Sequence, residues 1–258
     1  MNMPPFAVDA TVAALVVVDL QNDFVRAGAP QEVPTARATL GNVAALAAAC
    51  RAKGRPVLYT RYTAGPDATH LGWFSPECGP EVRSCWPGVR REYGDRDGLL
   101  EGHQVVDELA PRPGDLVIDK FGYGSFHNTV LEDVLRATSA RQVWLVGTVT
   151  QICVEETARE GYRRGFEMVV AADAVSSFDD ELHRATLRNM AAKFALVTDT
   201  ATLRRALDAA AEGDPRSPPG DKTATPPIST LSRRNHPTGS GSGSSSEPFK
   251  MGALSSDA

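Results

Sequence analysis

A regular alternation of short apolar runs with segments of helical spacing most constrains the fold of this chain. The runs are rich in valine, leucine and alanine, which is typical of strands buried on both faces of a parallel sheet. Strands that alternate with helices along a chain predict an α/β fold with a mainly parallel sheet. The six predicted strands are Ala13–Asp19, Arg55–Thr60, Asp115–Asp119, Val143–Val146, Glu167–Ala172 and Phe194–Val197.

Segments with helical periodicity lie between these strands, bounded by glycine, proline and polar residues. The predicted helices are Ala36–Arg51, a short one at Val105–Leu109, Thr129–Thr138, a segment that begins at Cys153, Asp180–Lys193 and Ala201–Ala211. Residues 61–98 lack a regular period and are rich in glycine, proline and aromatic residues, so we expect a long loop there. Loops of this length serve as lids, pocket walls or oligomer contacts, and the sequence leaves these three roles open.

Composition limits the class of protein. The net charge of −5 and the pI near 5.6 argue against binding to nucleic acid or to a membrane surface, and favour a small-molecule partner. No apolar run approaches the ~18 residues that span a bilayer, and the scattered cysteines are typical of a reducing compartment, so we expect a cytoplasmic protein. Cys78 and Cys85 could still pair or share a metal.

One domain is expected over residues 1–211, followed by a disordered Pro/Gly/Ser-rich tail over residues 212–258.

Three residues that can carry chemistry follow three different predicted strands. Asp19, Lys120 and Cys153 each have a structural explanation when taken alone: a turn, a solvated surface and a buried thiol. The carboxyl ends of parallel strands meet at one edge of a sheet, however, where ligands bind. A carboxylate can act as the base for a thiol nucleophile, and an ammonium group can stabilise the thiolate. The predicted helix N-terminus at Cys153 should also lower the pKa of its thiol from about 8.5.

Three motifs together resemble the isochorismatase-like cysteine hydrolases. They are Val16-Val-Val-Asp-Leu-Gln-Asn-Asp-Phe24, Lys120 followed by Tyr123-Gly-Ser-Phe126 and Thr129, and Gly147-Thr-Val-Thr-Gln-Ile-Cys-Val-Glu-Glu-Thr-Ala-Arg159. The resemblance implies a three-layer, doubly wound, mainly parallel six-stranded sheet with helices on both faces. It also implies a triad of Asp19, Lys120 and Cys153, and a homo-oligomer. A cis peptide bond before Val149 is implied as well, within an oxyanion region formed by Thr148, Val149, Ile152 and Cys153.

Differences within the family narrow the expected activity. Nicotinamidases of the family hold a metal through an Asp-x-His type signature after the second strand, where this chain reads Thr60-Arg-Tyr-Thr-Ala-Gly65. We therefore expect no metal and no cofactor. True isochorismatases lack the nucleophilic cysteine. The resemblance thus implies a cysteine amidohydrolase that cleaves a C–N bond of a small non-aromatic amide, lactam or ureido compound. N-carbamoyl amino acids, ureidoacrylate, biuret and a streptothricin-type lactam represent this class. A nicotinamidase and a non-catalytic binding protein on the same fold remain as alternatives.

Candidate substrate contacts are less constrained by the sequence. They are Phe24, Arg61, Tyr62, Tyr123 and Gln151, with His70, His127 and Asn128 as weaker candidates. Arg61 could pair with a substrate carboxylate through its planar guanidinium group, although a structural salt bridge explains it equally well.

Overall fold

The computed structural model describes residues 6–66 and 74–210. His70, Trp73 and the predicted tail over residues 212–258 lie outside the described residues. The main strands are β1 (Ala13–Val18), β2 (Val57–Tyr62), β5 (Leu116–Lys120), β6 (Gln142–Thr148), β7 (Glu167–Ser176) and β8 (Leu196–Thr198). Two further strands are β3 (Arg90–Tyr93) and β4 (Arg96–Glu101). The helices are α1 (Asn22–Val25), α2 (Ala36–Ala52), α3 (Leu131–Ala137), α4 (Glu155–Arg163), α5 (Asp180–Lys193) and α6 (Thr200–Ala209).

The six main strands form one parallel sheet in the order β5-β2-β1-β6-β7-β8. The chain adds strands outward from β1 to β2 and β5, then crosses back and adds β6, β7 and β8 on the other side. The direction of winding therefore reverses between β1 and β6, which is the place where open α/β sheets bind ligands.

Each face of the sheet is covered by helices, because the side chains of the central strands alternate between two cores. On β1, Leu15 and Val17 belong to a cluster with Val43 and Leu46 of α2 and with Leu203 of α6. Val16 and Val18, of the same strand, belong to a second cluster that contains residues of α3, α4 and α5. All these strand side chains are 0–1% exposed. The predicted three-layer α/β fold is confirmed.

The structure corrects several local predictions. The region 61–98 is not one irregular loop, because β3 and β4 form an antiparallel hairpin that begins within it. The helix predicted at Val105–Leu109 is a single 3₁₀ turn over Asp107–Leu109. Strand β7 continues four residues past its predicted end at Ala172. Among the described residues, no helix is both long and apolar enough to cross a membrane.

Candidate active site

The carboxyl ends of β1, β5 and β6 bring Asp19, Lys120 and Cys153 into one cluster. Asp19 follows β1 with φ of 49°, a left-handed conformation that aspartate tolerates better than most residues and that ends the strand. Its carboxylate is fully buried. Thr60 Oγ1 of β2 donates a hydrogen bond to Asp19 Oδ1 over 2.7 Å, and Lys120 Nζ lies 2.8 Å from Asp19 Oδ2. The carboxylate is thus fixed between two neighbouring strands.

Lys120 is the last residue of β5, and its ammonium group is enclosed by oxygen atoms. Besides the carboxylate of Asp19, Nζ donates to the backbone oxygens of Gly122 at 2.9 Å and Tyr123 at 2.8 Å. Burial acts to lower the pKa of Lys120, but the negative charge of Asp19, together with the neighbouring Cys153, outweighs it, so the pKa is raised above its ordinary value. The residue is therefore a permanent buried cation rather than the solvated surface lysine that its sequence position alone would suggest.

Cys153 lies in a single π-helical turn, Thr150–Val154, that precedes α4. Its side chain is 4% exposed. Burial raises the pKa of the Cys153 thiol to about 12, Lys120 lowers it and Asp19 raises it again. The pKa of this thiol therefore lies above its ordinary value, opposite in direction to the expectation from the helix N-terminus. Cys153 is accordingly a thiol at neutral pH, next to the carboxylate of Asp19.

The peptide bond between Thr148 and Val149 is cis, as the family resemblance implies. The backbone N–H groups of Ile152 and Val154 both donate to Val149 O over 3.1 Å. Ile152 was predicted to contribute to the oxyanion region, but its N–H is already used in this way. The contribution of Thr148, Val149 and Cys153 to an oxyanion region stays a prediction.

A close approach of two strands precedes this turn. Gly147 of β6 is paired with Val18 of β1 and has φ of 116°, which favours glycine. A Cβ atom at this position would overlap the backbone of Val18. Glycine therefore allows β6 to pass next to the end of β1, immediately before the turn that carries Cys153.

A cavity of about 530 Å³ opens onto Cys153. Its wall contains five aromatic side chains and several aliphatic ones. Three predicted substrate contacts, Phe24, Tyr62 and Tyr123, belong to this wall. The rings of Tyr62 and Tyr123 are stacked with centroids 6.0 Å apart, and Phe24 packs edge-on against Tyr62 at 6.1 Å. This geometry provides a firm apolar surface beside the thiol.

The other predicted contacts lie elsewhere. Arg61 forms a salt bridge with Asp119 over 2.7 Å and also donates to Gln104. These contacts correspond to the structural salt bridge that the sequence left open as the alternative to a substrate contact. Gln151 is not part of the cavity wall; its amide atoms are buried and have no partner among the described residues. His127 and Asn128 are exposed and hydrogen-bonded to each other.

The segment after β2 contributes more to the cavity than the sequence indicated. Phe74, Ser75 and Glu77 line it, so this part of the predicted loop is a pocket wall. Cys78 and Cys85 are both free thiols. Within residues 6–66 and 74–210, no group of three or more histidine, cysteine or acidic side chains could hold a metal ion.

Asp23 is an important residue that the sequence reasoning missed. It is fully buried in α1 and binds residues of the hairpin region. Tyr93 Oη donates to Asp23 Oδ1 at 2.6 Å, and the Cys85 N–H donates to Oδ2 at 2.7 Å. Arg91 Nε lies 2.9 Å from Oδ1. The hairpin itself was detectable, since Gly94-Asp95 between Tyr93 and Arg96 is a typical two-residue turn.

Comparison with known proteins places these features in a family. The chain matches the family described as Isochorismatase domain over residues 13–202. It is 33% identical over 218 residues to a ureidoacrylate amidohydrolase of Methylobacterium radiotolerans, covering 79% of this chain and 82% of that protein. It is 30% identical over 204 residues to nicotinamidase 3 of Arabidopsis thaliana, covering 77% and 90%.

Solved structures agree with this. A cysteine hydrolase from Pseudomonas syringae pv. phaseolicola superposes with a TM-score of 0.72 at 25% identity, covering 81% of this chain and 98% of that one. N-carbamoylsarcosine amidase from Thermoplasma acidophilum superposes with a TM-score of 0.59 at 29% identity, covering 73% and 96%. The chain therefore belongs to the isochorismatase family and is an isochorismatase-like cysteine hydrolase.

Proposed function

We propose that this protein hydrolyses a C–N bond of a small amide, lactam or ureido compound through a thioester on Cys153. The observation that carries the proposal is the position of the Cys153 thiol, which lines a cavity of about 530 Å³ and adjoins the buried Asp19–Lys120 ion pair. Relatives that share the family are named for the hydrolysis of such bonds, among them the ureidoacrylate amidohydrolase and the N-carbamoylsarcosine amidase.

In the acylation step, Asp19 takes the proton of the Cys153 thiol while Sγ attacks the carbonyl carbon of the substrate. The oxygen that becomes negative accepts hydrogen bonds from backbone N–H groups of the turn, among them those of Val149 and Cys153, which line the cavity. Asp19 then returns the proton to the leaving nitrogen, the C–N bond breaks and the amine or ammonia departs. Lys120 stays protonated throughout and stabilises whichever of its two neighbours is negative.

In the deacylation step, Asp19 removes a proton from a water molecule that attacks the thioester carbon. The C–S bond breaks, the carboxylic or carbamic acid is released, and the thiolate of Cys153 recovers the proton from Asp19. The raised pKa of the thiol fits this cycle, because the proton returns fully to sulfur between turnovers. Thr60 keeps Asp19 aligned for both transfers through its hydrogen bond to Oδ1.

An ammonia-release screen tests the proposal. The panel contains hexanamide, 2-pyrrolidone read out as its ring-opened acid, biuret, N-carbamoyl-β-alanine and nicotinamide, each assayed with and without a chelator. Wild type and Cys50→Ala should turn over at least one member, and Cys153→Ala none. Cys50 is a fitting control, because it is also a buried free thiol but does not line the cavity. Substantial turnover by Cys153→Ala would refute the mechanism.

The same panel addresses the two alternatives. A nicotinamidase, the activity named for the Arabidopsis relative, would hydrolyse nicotinamide in preference to every other member and lose that activity in chelator. A non-catalytic binding protein would turn over nothing, and Cys153→Ala would bind the same compounds as wild type.

Assembly and location form part of the proposal. The family resemblance supports a homo-oligomer, which light scattering coupled to size exclusion would test. The four cysteines are all free thiols, which supports a reducing, cytoplasmic compartment. Localisation of a tagged full-length chain would test this expectation.

A further inference from the structure

The described cavity wall carries negative charge, whereas a substrate carboxylate would need a positively charged partner. The described residues that line the cavity are Phe24, Pro30, Gln31, Glu32, Val33, Tyr62, Phe74, Ser75, Glu77, Tyr123, Val149, Ile152, Cys153 and Phe178. This set includes two carboxylates and no lysine or arginine. A carboxylate that entered the cavity would lose water and would find no cation on the described wall.

Lys120, behind the wall, cannot serve as that cation. Its side chain is fully buried; Nζ lies 2.8 Å from Asp19 Oδ2 and donates to the backbone oxygens of Gly122 and Tyr123. Turning Nζ toward a substrate carboxylate would leave the buried Asp19 without its partner, at a cost of several kcal/mol.

Three arginines of the neighbouring segments are paired, and Arg83 is exposed and does not line the cavity. Arg37 lies 2.8 Å from Glu32 and donates to Val25 O. Arg61 is paired with Asp119, and Arg91 with Asp23. Residues 67–73, which the structure does not describe, read Asp-Ala-Thr-His-Leu-Gly-Trp and contain no lysine or arginine.

The two wall carboxylates are not equivalent. The charge of Glu32 is largely neutralised, since its side chain accepts from the Gly28 N–H at 2.8 Å and pairs with Arg37, and these contacts lower its pKa. Glu77 is half-buried and has no cationic partner within the described residues. Glu77 is therefore the residue that would repel an anionic substrate.

We infer that the site takes amides or ureas that carry no carboxylate, with an apolar body that packs against Phe24, Tyr62 and Phe178. This inference rests on the proposed C–N hydrolysis and names the substrate class of the same site. Removing apolar surface from water contributes about 25 cal/mol per Å². The aromatic wall therefore favours binding of a substrate with an apolar body over binding of one with a charged group. Simple amides and lactams fit this class, whereas N-carbamoyl amino acids and ureidoacrylate, which carry a carboxylate, do not.

Two pairs of compounds of matched shape test the inference. 3-Methylbutylurea is the neutral counterpart of N-carbamoyl-β-alanine, and 6-methylheptanamide is the neutral counterpart of adipamate, because an isopropyl group replaces the carboxylate in each. The neutral member should have a kcat/KM at least about tenfold higher in any pair that is hydrolysed, the ratio that corresponds to about 1.4 kcal/mol. An equal or higher value for the carboxylate member would overturn the inference and leave the cysteine mechanism intact.

Binding to Cys153→Ala, measured by calorimetry, keeps the two proposals separate. If neither pair is hydrolysed, the proposed function fails for these compounds, yet tighter binding of the neutral members would still support the inferred class. Tighter binding of the carboxylate members, or binding of neither member, would overturn it.

Glu77→Gln tests the residue responsible. In this variant the preference for the neutral member should fall about threefold, as expected for one charge at several ångströms in a solvated wall. The matched control is Glu81→Gln, an exposed carboxylate outside the cavity wall, which should leave the preference unchanged. An unchanged preference in Glu77→Gln, or an equal fall in both variants, would refute the role of Glu77.

Discussion

Two clusters in this protein contain the same three residue types, an aspartate, a cation and a cysteine, but differ in what they can do. Asp19 faces Lys120 and Cys153, while Asp23, four residues later, faces Arg91 and Cys85. Both carboxylates are 0% exposed, and each has its cation within 3 Å, at 2.8 Å and 2.9 Å. Burial and ion pairing therefore do not separate them.

The difference lies in the cysteine and in access. Cys85 is fully buried and does not line the cavity, and it meets Asp23 through its backbone N–H rather than as a reactive group. Tyr93 and Arg91 complete the shell, so Asp23 fastens the hairpin segment to the domain. Cys153, by contrast, lines the cavity and directs its thiol to the ion pair. The Asp19–Lys120 ion pair therefore adjoins the cavity through Cys153, whereas no residue of the Asp23 cluster lines that cavity.

The largest expected effect comes from neutralising one aspartate of each cluster. Asp19→Asn removes the base, so kcat/KM per folded molecule should fall by about 10³-fold. Asp23→Asn, the matched control, removes the same charge four residues away and should keep activity within about tenfold of wild type. Steady-state kinetics on a hydrolysed panel member, normalised by circular dichroism, would measure this. Equal losses in both variants would mean that the clusters are not functionally distinct.

The second cluster should matter for stability instead. Asp23→Ala leaves the buried hydroxyl of Tyr93 and the N–H of Cys85 without their acceptor and removes the carboxylate that pairs with Arg91. Unfolding free energy should fall by about 3 kcal/mol, or roughly 6–12 °C in Tm. Thermal unfolding followed by circular dichroism would measure the change, and a shift below about 2 °C would argue against the structural role.

The two thiols should differ in alkylation. Because burial raises the pKa of Cys153 to about 12, its reaction with iodoacetamide should accelerate about tenfold per pH unit from pH 7 to 9. Cys85, whose pKa is raised by complete burial, should stay unlabelled in the folded protein. Peptide-resolved mass spectrometry distinguishes the sites. A Cys153 rate that levels off below pH 8 would indicate a thiolate at rest and contradict the raised pKa.

The smallest expected effect concerns Arg61, outside both clusters. Arg61→Ala breaks an exposed pair with Asp119, which is worth at most about 1 kcal/mol. Activity on neutral amides should change less than about threefold. A selective loss of activity on N-carbamoyl-β-alanine, measured in the same assay, would instead give Arg61 the role of a carboxylate contact.

The comparison also indicates what sequence can predict. Asp19, Lys120 and Cys153 were predicted to meet because each follows a strand of a parallel sheet, a matter of topology alone. The Asp23 cluster was not predicted, since its partners lie about 60–70 residues away and side-chain pairing over such a distance leaves no local pattern. Phe24, Tyr62 and Tyr123, which were predicted as substrate contacts, line the cavity because they adjoin the same strand ends, and their contact with a substrate stays a prediction.

Two further features, the pairing of Arg61 and the pKa of Cys153, depend on tertiary packing. Strand position placed Arg61 near the site, but the alternation of side chains along β2 directs Tyr62 into the cavity wall and Arg61 to Asp119. The pKa of Cys153 was predicted in the wrong direction, because a helix N-terminus is visible in sequence and the degree of burial is not. The pairing of Arg61 and the burial of Cys153 are both set by tertiary packing, which the local pattern does not show, and a substrate contact at Arg61 stays a prediction.

The most direct test of the central claim is the mass of the enzyme during turnover. Wild type is mixed with a hydrolysed panel member, quenched in acid within milliseconds to seconds and examined intact and as peptides. We expect an added mass equal to the acyl part of the substrate on the peptide that contains Cys153, and none in Cys153→Ala. An adduct on another residue, or full turnover by Cys153→Ala without any adduct, would contradict it.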